Sequence, residues 1–81
     1  MLLFYLLEYT MKMNSISKSN LLASDSVQII AFDSGGYGIK VWRGENAAFL
    51  HASNFVMVYK SPDLARRAVR RLRPDLEPTT I

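Results

Sequence analysis

Apolar and polar residues in the second half of the chain alternate with two different periods. Over Tyr37–Arg43 the period is two: Tyr37, Ile39 and Val41 fall on one face, Gly38, Lys40 and Trp42 on the other, the signature of a strand. Val27–Phe32 (VQIIAF) is a short run of β-branched and aromatic residues and reads as a strand as well, as do Ala47–His51 and Phe55–Lys60. Between them lie the turn-forming stretches Asp33–Gly36, Gly44–Asn46 and Ala52–Asn54. Joins this short imply an antiparallel meander, because parallel neighbours need a longer crossover.

After Lys60 the period changes to that of a helix. Ser61 supplies a hydroxyl for an orphan amide, Pro62 fits the first helical position, and Asp63 suits the positive end of the helix dipole. Pro74 forbids continuation. Between these limits Leu64, Ala65, Ala68, Val69 and Leu72 share an arc of about 140°, and Arg66, Arg67, Arg70, Arg71 and Arg73 take the remainder. The fold expected is α+β: a four-stranded antiparallel β-meander with one C-terminal amphipathic helix packed on one face (ββββα), spanning residues 27–73. Asn14–Ser26 reads as a serine-rich linker with a turn of helix at Ile16–Ala23, and residues 74–81 as a flexible tail.

This pattern leaves a surplus. Ile30 and Phe32 alternate against Val27, Ile29 and Ala31, and Phe55, Met57 and Tyr59 against Val56 and Val58, so both sheet faces are apolar. One helix covers one face. The second must be closed by curling of the sheet, by the N-terminal segment, or by a partner, and a homodimer through the open face or an edge strand is the expectation.

The run Met1–Leu7 (MLLFYLL) is too short for a membrane span and lacks the basic start and cleavage site of a signal peptide. Two readings stay open: a short element packed on the domain, or an upstream start with the native protein beginning at Met11 or Met13.

Composition narrows the function classes. With 81 residues there is one domain; 49% hydrophobic and 21% charged residues are globular proportions. There is no cysteine and one histidine, so disulfides are excluded, a zinc site has too few ligands, and a reducing, cytoplasmic setting is expected. The net charge is +3, and the five arginines after residue 60 carry most of it against Asp63, Asp75 and Glu77.

Ser34–Gly38 (SGGYG) has the glycine content of a phosphate loop, but a strand and not a helix follows it, and no Gly-Lys-Ser/Thr ending is present; a hairpin turn is the simpler reading. His51 has no carboxylate or thiol neighbour in sequence to make it an acid–base group. No catalytic, cofactor-binding or metal-binding residue is therefore assigned, and no small-molecule substrate is evident. The arginine face admits three readings: a solvated surface, a contact for an acidic protein, or a contact for nucleic acid. A membrane surface is disfavoured because the helix's apolar face is short and is needed for the core. Lys40 and Trp42 share a sheet face, with Tyr59 expected near them, and such aromatics can stack bases or fill a protein interface. The candidate contact residues are thus Arg66, Arg67, Arg70, Arg71, Arg73, Trp42 and Lys40.

The stretch Val56–Arg67 (VMVYKSPDLARR), a strand ending in Lys-Ser followed by a helix opening on Leu-Ala-Arg, resembles small uncharacterised bacterial proteins built as a β-meander followed by one helix. The resemblance runs over roughly Val27–Leu72 and implies the fold and a bacterial cytosolic setting, with no catalytic residues to transfer. In size and fold class the chain is also similar to small phage-borne inhibitors such as anti-CRISPR proteins. The functional expectation is a non-enzymatic interaction or regulatory domain that binds an acidic protein surface or itself. The alternatives are nucleic-acid binding through the arginine face and a phage-type inhibitor.

Overall fold

In the computed structural model, which describes residues 12–81, the central unit is the hairpin of β1 (Ser26–Ala31) and β2 (Tyr37–Arg43). Their antiparallel register sets Val27 opposite Val41 and Ile29 opposite Ile39, so these four side chains project from one face. The turn closes through the Phe32 amide on the Gly36 carbonyl at 3.0 Å. Gly36 has φ +80°, and a β-carbon there would overlap the side chain of Val58, so both conformation and contact require glycine.

β3 (Asn46–Phe49) pairs antiparallel with β2 on its other side. At Leu50 the chain leaves this edge. The Leu50 amide still bonds the Ile39 carbonyl at 2.9 Å, but β4 (His51–Ala52) and β5 (Phe55–Val56) form a separate two-stranded sheet. The chain returns at Tyr59, which exchanges two 2.8 Å backbone bonds with Tyr37. The expected fourth strand over Phe55–Lys60 is therefore a short hairpin arm and one bridge.

A different segment completes the main sheet. β6 (Thr79–Thr80) lies parallel to β1, with Gln28 opposite Thr79 and Ile29 opposite Thr80, giving the order β3-β2-β1-β6. The α+β class is as expected, but the sheet is mixed and not purely antiparallel, and the helix is not the last element. The free edge of β1 explains the correction: its outward backbone groups need partners, and the amide of Ile81 donates to the Ile29 carbonyl at 2.9 Å. Leu76 packs against the core and Pro78 is buried, which anchors the segment expected to be a loose tail.

The interval expected to be a linker with a turn of helix at Ile16–Ala23 holds a full helix, α1 (Ser15–Leu22). Asn14 caps it, its Oδ1 accepting from the Ser17 amide at 2.8 Å. Ser17 is buried, and its Oγ accepts from the His51 amide at 2.7 Å, so a polar side chain pins the helix to β4. The second helix, α2 (Pro62–Leu72), has the limits read from the sequence: the Ser61 Oγ accepts from the Leu64 amide at 3.3 Å, and Pro62 opens the first turn.

Val27, Ile29, Ile39, Val41, Leu50 and Met57 meet Leu21 of α1 and Ala65 and Val69 of α2 in one buried cluster. Both helices thus lie on the same, inner side of the sheet, and neither covers the outer one. The run Met1–Leu7 lies outside the described residues.

Candidate functional site

The outer side of the sheet is built by the alternate residues of three strands. Gln28 and Ile30 come from β1, Gly38, Lys40 and Trp42 from β2, and Ala47 and Phe49 from β3, with Phe32 just beyond β1. The register sets Lys40 between Gln28 and Phe49, and Trp42 opposite Ala47. Ile30, Phe32, Lys40, Trp42 and Phe49 are half-buried.

These side chains hold one another. The Lys40 ammonium lies 4.9 Å from the Trp42 ring centroid and 5.8 Å from that of Phe49, so one cation sits against two aromatic faces. The Trp42 indole N–H donates to the Gln28 Oε1 at 2.8 Å. Phe32 and Phe49 approach with centroids 5.6 Å apart and planes tilted by 49°. Gly38 is buried because the Phe32 ring lies over it; a β-carbon on Gly38 would overlap that ring. None of the outward positions of β1, β2 and β3 is a carboxylate, so Lys40 is the one ionised group on the sheet surface they form.

Lys40 and Trp42 are thus adjacent, as their spacing required. Tyr59 is not with them. Its bridge to Tyr37 puts it on the inner side, packed against the core, where burial raises its phenol pKa and the nearby Arg71 partly opposes the rise. Phe32 and Phe49 take the place expected for Tyr59. The sequence held the signal in their strand parity, but placing them beside Lys40 needs the pairing of β3 with β2 and the lie of Phe32 across Gly38.

The five arginines divide into two sets. Arg66 pairs with Asp63 at 2.9 Å and also bonds the Thr80 hydroxyl, tying α2 to β6. Arg73 makes a two-pronged pair with Asp75, through Nε to Oδ1 at 3.0 Å and Nη2 to Oδ2 at 2.9 Å. Its remaining nitrogen, Nη1, donates to the carbonyls of Leu21, Leu22 and Ser24 at 2.9–3.1 Å, closing the C-terminal end of α1. These two arginines hold the fold. Arg70 stands 3.8 Å from Glu77, a loose surface pair. Arg67 and Arg71 are exposed and have no carboxylate partner among the described residues.

The amide of His51 is bound to Ser17, and its ring Nδ1 lies 2.8 Å from the Phe49 carbonyl, so Nδ1 carries the proton of that bond. Among the described residues there is no group of three histidine, aspartate or glutamate side chains placed to hold a metal ion. Ser34–Gly38 is the β1–β2 turn and the start of β2, with no helix after it. No described helix is long and apolar enough to cross a membrane. A shallow cavity of about 160 Å³ lies at the β3 edge, under the end of α1.

No family model, curated protein or solved structure matches the chain.

Proposed function

We propose that this chain is a small non-enzymatic interaction domain and that the outer sheet face is its protein-binding surface. The observation carrying this reading is the cluster of Phe32, Phe49, Trp42 and Lys40 on the side of the sheet that neither helix covers. Aromatic side chains around a cation, half-buried and prepositioned by one another, supply large contact area at little loss of side-chain freedom on binding. The partner that suits a lone cation on an aromatic surface offers an apolar patch with an acidic side chain, on another protein or on a second copy of this chain.

The test is photo-cross-linking in host cells from a photoreactive residue at position 49, on the outer face, and at position 67, on the helix. The reading expects a discrete protein adduct from position 49 and none from position 67. Capture from position 67 alone would overturn it.

A second reading is nucleic-acid binding through α2, favoured by the adjacency of Arg67, Arg70 and Arg71 on its exposed side. It expects binding to an oligonucleotide that weakens steeply with added salt and is lost on removing these three arginines. Undetectable binding at low salt ends it.

A further inference from the structure

We infer that a second copy of this chain docks on the free edge of β3, joining the two sheets about a two-fold axis. The edge is a surface separate from the outer aromatic face, so the inference goes beyond the reading above and stands or falls apart from it.

Among the described residues, no strand pairs with the outer edge of β3. The Leu50 amide points at β2, where it bonds Ile39, and Ala48 pairs with Val41. Backbone groups alternate along a strand, so those of Ala47 and Phe49 point away from the sheet. The 2.8 Å contact of the His51 ring with the Phe49 carbonyl, on that outer edge, agrees with this direction. The Ala47 N–H and C=O and the Phe49 N–H have no partner among the described residues. At Ala47 a donor and an acceptor stand side by side, which makes the position self-complementary: an antiparallel copy related by a two-fold through Ala47 exchanges two hydrogen bonds with it.

Nothing on this edge deters pairing. Asn46, Ala47, Ala48 and Phe49 include no proline, no charge and no bulge, the devices by which exposed edges are usually blunted. The opposite edge of the sheet is the two-residue β6, too short to template a partner.

A second observation comes from the helix above the edge. Asn20 and Ala23 line the cavity beside Ala47 and Ala48, which places that side of α1 over β3. Ile16 falls on the same side at helical spacing and is 72% exposed. All three are uncharged. A two-fold at Ala47 brings this strip toward its own copy, where small and aliphatic residues allow helices to approach to about 8–10 Å. Edge and helix strip therefore adjoin around this cavity, whose lining carries one charge, that of Arg43 at the end of β2, so the self-complementary backbone at Ala47 is what commits the edge to an identical copy.

Sedimentation equilibrium of the full chain between about 1 and 500 µM tests this. Expected is a mass rising to twice 9.2 kDa. Ala47→Pro removes the outward amide while leaving the bonds to β2, and Ile16→Glu puts a charge into the helix strip; both should stay at the single-chain mass with an unchanged circular dichroism spectrum. Should Ala47→Pro fail to fold, Ile16→Glu decides alone. A wild-type chain that is monomeric throughout the range, or a dimer that the folded variants retain, overturns the inference. A monomer that still yields a cross-link to another protein from position 49 overturns the dimer and leaves the protein-binding reading standing; loss of both removes the two together.

Discussion

Arg73, one residue past the end of α2, donates from Nη1 to the carbonyl of Leu21 in the last turn of α1, at 3.1 Å and across 52 positions of sequence. The same nitrogen reaches Leu22 and Ser24, while the Nε–Nη2 edge of the guanidinium grips Asp75. One planar side chain thus joins the ends of both helices to the turn that leads into β6. A lysine has the charge without the fork. Arg73→Lys should lower the melting temperature and Arg73→Ala should lower it further, whereas Arg67→Ala, on the free side of α2, should leave it unchanged. Thermal unfolding followed by circular dichroism distinguishes them.

Asp75 gives this junction a pH dependence. Its hydrogen bonds with Arg73 hold its carboxyl pKa below the ordinary value of 3.8. A folded-state pKa depressed below the unfolded one contributes stability that is present above the unfolded value and lost as pH falls through the folded value. Acidification from pH 5 toward about pH 2 should therefore erode stability, and Asp75→Asn should be less stable at neutral pH with a shallower acid limb. Urea midpoints measured across that range check the sign.

Gly38 is required by its neighbour and not by its backbone angle. Gly38→Ala should push the Phe32 ring from its place beside Phe49 and cost about 1–3 kcal/mol. In a Phe32→Ala background the same change should cost much less, because the obstructing ring is gone. A double-mutant cycle reads the coupling directly.

Removing Thr79–Ile81 should cost about 1–3 kcal/mol, since the Ile81–Ile29 bond and the β6 pairing go with them. It also bares the outer edge of β1, so the shortened chain should aggregate sooner on heating. A loose tail would give neither effect. Chemical denaturation and light scattering of the two lengths settle it.

What the sequence revealed follows from where each element gets its stability. α2 carries its own caps and an unbroken division of apolar and cationic residues, so its limits at Pro62 and Leu72 were legible. The strands β1 and β2 were legible by composition and alternation. α1 was legible only as a turn of helix at Ile16–Ala23 within a linker, because only Ser17 and Leu21 of its residues are buried, and its full length is held by Asn14, by Ser17 on His51, and by Arg73 from the far end of the chain. β6 is two threonines long, and its parallel pairing depends on how α2 and the Arg73–Asp75 turn return the chain to β1. The same holds for the outer face: Lys40 and Trp42 followed from parity within one strand, whereas Phe32 and Phe49 joined them only through pairing between strands. The separation of Arg66 and Arg73 from Arg67, Arg70 and Arg71 likewise rests on partners that helical spacing does not reveal.

The central claim is that the outer aromatic face serves binding and the inner face serves folding. The most direct measurement is the unfolding free energy of Trp42→Ser, taken together with capture from a photoreactive residue at position 49 in the same chain. Expected is a stability loss below about 2 kcal/mol, short of the about 3–5 kcal/mol of a buried aromatic removed from a core, with capture falling to background. A core-sized loss of stability, or capture that survives the substitution, would contradict it.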